Sequence, residues 1–94
     1  MFSTADVALD RPERYGKQLA SHLGHKVPVA ILANGWELTI GEGTGRVLPA
    51  DGILRLEAEA DSPELLARIQ DVLERHLRKF ATKAGELEVS WLVD

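Results

Sequence analysis

Ile53-Leu54-Arg55-Leu56-Glu57-Ala58-Glu59-Ala60, followed at once by Asp61-Ser62-Pro63-Glu64-Leu65-Leu66, is the stretch that decides the fold. In its first half Leu54, Leu56, Ala58 and Ala60 fall at every second position, with Arg55, Glu57 and Glu59 between them. That alternation puts apolar groups on one side of a strand and charges on the other. In the second half the period changes. Leu65, Leu66, Ile69, Val72, Leu73, Leu77 and Phe80 form the broad stripe of an amphipathic helix reaching Ala81, about five turns. Asp61 and Ser62 are capping residues and Pro63 fits a first turn, so the helix start is marked redundantly. A half-polar strand running straight into a helix predicts an α+β protein whose antiparallel sheet keeps one face in water.

The same two periods organise the rest. Phe2 to Ala8 alternates weakly as a short strand. Asp10-Arg11-Pro12-Glu13 predicts a helix start, with Asp10 as cap and Glu13 completing a capping box. Tyr15, Leu19 and Leu23 repeat at helical spacing, and Gly24 supplies a permissive end. From Val27 the period is two. Val29 to Leu32 is a short apolar strand, and Asn34-Gly35 predicts a type I′ hairpin turn with both residues at positive φ. Trp36, Leu38 and Ile40 then alternate with Glu37 and Thr39; Gly41 to Gly45 turns the chain into a short strand, Arg46 to Pro49; and Asp51-Gly52 marks another tight turn. After the long helix, Gly85 ends the excursion, and Leu87, Val89, Trp91 and Val93 alternate as a last strand that re-enters the sheet. The expected order is β-α-β-β-β-β-α-β, with two amphipathic helices packed on one face of a mostly antiparallel sheet, in a single domain over residues 1–94.

Composition narrows the functions. Eleven basic residues are interleaved with fifteen acidic ones, notably along Glu64–Lys83, for a net charge of −4. That pattern solvates a helix face and offers no cationic stripe for a phosphate backbone, so no nucleic-acid partner is expected. No apolar run approaches the roughly 18 residues of a spanning helix, and no membrane role is expected. Met1-Phe2-Ser3-Thr4-Ala5-Asp6 carries neither a basic nor an apolar signal region, so a cytoplasmic location is expected. The absence of cysteine removes thiolate nucleophiles and cysteine-based metal sites.

What chemistry there is gathers at His22-Leu23-Gly24-His25-Lys26, which holds two of the three histidines beside a lysine at a helix end. His is the side chain that titrates near neutral pH and the commonest metal ligand. His22 and His25 stand at i, i+3, but two histidines make a weak metal site, and Gly24 breaks between them. The plainer reading makes His22 a boundary residue bonded to backbone and His25 a capping cation at the negative end of the helix. His76 lies within the apolar stripe and reads first as a hydrogen-bonded, partly buried residue. If the helices lie side by side, His76 and His22 approach each other. Glu37, Thr39, Arg46, Arg55, Glu57, Glu59, Glu88 and Ser90 should form the solvated sheet face, with Arg46 and Arg55 as cross-strand partners. Gly41-Glu42-Gly43-Thr44-Gly45 lacks the Lys-Ser/Thr of a phosphate loop and leads to a strand, so it reads as a connection.

The run Arg14-Tyr15-Gly16-Lys17-Gln18-Leu19-Ala20-Ser21-His22-Leu23-Gly24-His25-Lys26 resembles a bacterial family known as domain of unknown function 2218, with its "RY-x-KQL-x-x-H-x-x-HK" signature after a first strand. The resemblance continues through Ile53 to Ala58, Leu66 to Gln70, His76-Leu77 and the "L-x-V-x-W" pattern of Leu87 to Trp91. The Gly16 and Gly24 pair departs from the family pattern. The resemblance names no reaction. It implies an association with siderophore-interacting ferric reductases, hence an accessory role in iron metabolism, and it maps the family positions onto His22, His25 and Lys26, with His76 a weaker match.

The leading expectation is therefore a small accessory or ligand-binding module, without catalysis of its own, that takes an anionic small molecule, a metal chelate or a protein partner near His22, His25 and Lys26. Tyr15 or Trp36 would give an apolar wall, and His76 would complete the set. No cofactor is identified. Two alternatives stand beside it: an enzyme with His22 or His25 as acid or base and Lys26 stabilising negative charge, and a homodimer built on the outer face of the sheet.

Overall fold

The computed structural model describes residues 1–82 and 87–94. The elements follow in the order β1 (Phe2–Ala8), α1 (Pro12–Leu23), β2 (Val29–Leu32), β3 (Gly35–Ile40), β4 (Gly43–Ala50), β5 (Ile53–Glu59), α2 (Pro63–Phe80) and β6 (Leu92–Val93). One six-stranded antiparallel sheet runs β2-β3-β4-β5-β1-β6, which is the expected α+β order with both helices against one face. The helix-side residues of β5, Leu54, Leu56 and Ala58, are fully buried, as the alternation predicts. Leu19 and Leu23 of α1, and Leu66, Ile69, Leu73 and Leu77 of α2, close the core over them. Lys83, the last residue of the charge-interleaved stretch, and Gly85, expected to end the excursion after the second helix, lie outside the described residues.

Several local expectations are corrected. At the start of α1 the cap is Arg11, in left-handed backbone at φ 58° and ψ 56°, with no side-chain capping bond; Asp10 does not cap. Gly24 is right-handed at φ −62°, and the chain winds on through bonds from His25 N to His22 O (3.3 Å) and Lys26 N to Leu23 O (2.9 Å). The first hairpin loop is Ala33-Asn34 rather than Asn34-Gly35, and Asn34 does not take positive φ. Gly35 instead opens β3, where the Val47 carbonyl comes too close to leave room for a Cβ.

Strand β4 starts at Gly43, not Arg46. Gly43 and Gly45 belong to the sheet because α2 sits directly on them: a Cβ on Gly43 would strike Ile69 and the Glu59 carbonyl, and one on Gly45 would lie 3.3 Å from Leu73 Cδ1. Only Leu92 and Val93 of the last predicted strand pair with the sheet. The preceding residues are held by α2 instead. Arg78 Nη1 donates to the Leu87 carbonyl at 2.9 Å, and Trp91 Nε1 donates to Glu74 Oε1 at 3.1 Å.

Candidate functional site

The helices bring together two histidines far apart in sequence. His22 occupies the last turn of α1, and its ring centroid lies 5.4 Å from that of His76 in α2, with the rings tilted by 43°. Phe80, one turn beyond His76, meets the same imidazole edge-on at 5.0 Å. The stripe of α2 explains this: His76 and Phe80 are at i, i+4 and share the border of the buried face. Both histidines are half-buried.

His76 Nδ1 lies 2.7 Å from the Val72 carbonyl oxygen. A carbonyl only accepts, so Nδ1 carries the proton in that contact, and neutral His76 keeps its lone pair on Nε2. His22 is held below the usual histidine pKa, first by partial burial and then by the positive fields of His76, Lys79, Lys26 and His25. Burial disfavours the cation, and four like-signed neighbours disfavour it further.

The site residues divide accordingly. His22 and His76 meet. His25 and Lys26 are exposed just past the end of α1 and contribute positive field rather than contact. Tyr15 is half-buried against the core on the same helix face as His22, but two turns away, about 10 Å along the axis. Trp36 packs over Gly16, whose Cβ would lie 3.2 Å from its ring. The aromatic wall beside His22 is Phe80, and Lys79 is the cation sequence reasoning left out. Both follow His76 at helical spacing; only the docking of α2 on α1 makes that spacing matter. Among the described residues no three His, Cys, Asp or Glu side chains group as a metal centre requires.

The outer sheet face is ion-paired. Arg46 bonds Glu37 at 3.0 Å and Glu59 at 3.1 Å and lies 3.5 Å from Glu57. Arg55 grips Asp6 with two bonds of 2.7 and 3.0 Å. Asp6 was not foreseen as a partner; its register opposite Arg55 across β1 and β5 settles it. Glu88 and Ser90, expected on this face, are exposed but lie outside any strand.

No curated protein matches the sequence. Among solved structures, the chain is similar to the NMR structure of PA4090 from Pseudomonas aeruginosa, with 24% identity, a TM-score of 0.79, and 98% of this chain and 96% of that one covered. It is also similar to part of a phosphoglucomutase/phosphomannomutase family protein from Burkholderia thailandensis, with 24% identity and a TM-score of 0.64; the match covers 93% of this chain but 19% of that one. At this identity both likenesses speak to the fold. The profile of a family described as an uncharacterized protein conserved in bacteria matches residues 4–92, from the first strand to the last. The chain therefore belongs to that bacterial family, domain of unknown function 2218.

Proposed function

We propose that the chain is a small cytoplasmic binding module that takes an anionic small molecule where the ends of α1 and α2 meet, with His22, His76, His25, Lys26 and Lys79 supplying charge and Phe80 an apolar wall. The observation that supports this reading is the contact between His22 and His76 inside a field whose named contributors are all positive. Such a cluster is relieved by an anion and aggravated by a cation, which favours this reading over a metal site. The iron association implied by the family resemblance gains no support from the comparisons.

The proposal predicts a direction with pH. Burial and the neighbouring positive charges hold the His22 pKa below its ordinary value, so the neutral ring is favoured near neutral pH and the proton is gained as pH falls. Anion affinity therefore rises as pH falls. Sulfate is a suitable probe because its charge stays constant between pH 5 and 8. In an NMR titration, sulfate should perturb the His22 and His76 ring protons, bind more tightly at pH 5.5 than at 7.5, and raise the titration midpoint of His22. Lys26→Gln with Lys79→Gln should weaken binding several-fold. An affinity independent of pH, or shifts confined to other parts of the chain, would sink the reading.

A further inference from the structure

On the other side of α1, away from His22, a groove of about 1130 Å³ runs between the N-terminal half of the helix and the β2–β3 hairpin. One wall carries Arg11, Arg14 and Lys17; the other carries Ile31 and Trp36. Ile31 is 84% exposed although it points to the same sheet face as the half-buried Trp36, its cross-strand partner. Strand β2 is the last in the sheet, so its outer row of backbone amides and carbonyls faces no other strand among the described residues. The strand reads Val29-Ala30-Ile31-Leu32, with no charge to repel an approaching strand.

Three features combine to select an occupant. The groove is open and larger than the roughly 300–1,000 Å³ of small-molecule pockets, so an extended chain suits it better than a compact ligand. Arg11, Arg14 and Lys17 recur every third residue, so the cationic wall is about 9 Å long, close to three residues of extended strand at about 3.3 Å each. Among the described residues none of these three cations has a carboxylate within ion-pair reach. Glu13 and Asp51 also line the groove, at the α1 N-terminus and the β4–β5 turn, leaving it positive by one charge in a chain whose net charge is −4.

We propose that this groove receives an extended acidic segment of a partner protein, added as a strand to the free edge of β2, with an apolar side chain over Ile31 and Trp36 and carboxylates facing Arg11, Arg14 and Lys17. Main-chain bonds to β2 would hold the segment, and the cationic wall would select its sign. The site is separate from the helix-end cluster, so either can stand without the other.

The test uses the full chain, isotope-labelled, and a synthetic eight-residue peptide with threonine at odd positions and one valine followed by three glutamates at even positions, so that as a strand it turns the valine and the carboxylates to the same face. The peptide should shift the amides of Val29 to Leu32 and the Trp36 indole, and its affinity should fall as salt is added. The double charge reversal Arg14→Glu with Lys17→Glu should weaken binding at least about tenfold, as expected for close opposite charges made repulsive. Ile31→Glu, at a position already in water, should block it by removing the apolar contact and repelling the carboxylates, while leaving the spectrum of a folded chain. Equal binding of the same peptide with lysine in place of each glutamate, or no shift in β2 at millimolar peptide, overturns the proposal. So does inorganic phosphate producing the same β2 shifts alone, which would make the groove a small-anion site. Shifts confined to His22 and His76 would also overturn it, reporting the helix-end site instead.

Discussion

Gly43 looks like a turn residue in sequence and acts as a packing residue in the fold. It follows Gly41, whose φ of +61° does make the turn, and it precedes Thr44 and Gly45 in a run that sequence reading assigns to a connection. Its missing side chain is where Ile69 of α2 rests, with the Glu59 carbonyl of β5 beside it. Alanine there must push either a helix side chain or a paired strand. Such overpacking costs about 1–3 kcal/mol, so Gly43→Ala should lower the urea midpoint clearly without changing the denaturant slope. Gly52 is the internal comparison, since its φ of +71° carries backbone strain for alanine but nothing lies within 4 Å of the added methyl. A Gly43→Ala chain as stable as the parent would mean that α2 does not seat on β4 as described.

At the scale of the elements, the two helices begin differently. Ser62 stands in extended backbone before α2 and its hydroxyl accepts a bond from Leu65 N at 3.2 Å, whereas α1 starts from the left-handed Arg11 with no such bond. Replacing Ser62 with alanine should therefore cost about 1 kcal/mol, the usual worth of an N-cap. The same change at Asp10 should cost α1 no cap at all. Chemical denaturation of the two variants checks this, and equal losses would contradict the assigned caps. The contrast also marks what sequence can say about elements. Ser62 and Asp10 both look like caps, because capping preference is a local property; which residue takes the cap conformation depends on how the chain leaves the preceding strand. Likewise the alternation through Leu87 to Trp91 is real, but Arg78 and Glu74 draw that segment onto α2, and only Leu92 and Val93 reach β1. Strands β1, β3 and β5 were legible because burial on one face alone writes their period.

For the molecule as a whole, charge and fold are linked through pH. The candidate site is a tertiary product: 54 positions separate His22 from His76, and no spacing rule relates them, so sequence could name both residues but only the packing of α1 on α2 joins them. That packing leaves a thermodynamic trace. His22 has a lower pKa folded than unfolded, so between those two values the unfolded chain binds more protons. The stability it contributes is present above about pH 6.5 and is lost as pH falls through the histidine range. Asp6 behaves alike in a separate window. Its bond to Arg55 depresses its pKa from 3.8, so its contribution is complete above that value and disappears as the carboxylate is protonated in stronger acid. Urea unfolding followed from pH 8 to pH 3 should thus show a first decline that sets in as pH falls below about 6.5 and a second below pH 4. His22→Gln should flatten the first and leave the second, while Asp6→Asn should do the reverse. Sulfate, by favouring the protonated form of His22, should recover stability in the first window only. A His22→Gln chain that declines in the first window as steeply as the parent would show that the helix-end histidines do not share the positive field on which the proposed anion site depends.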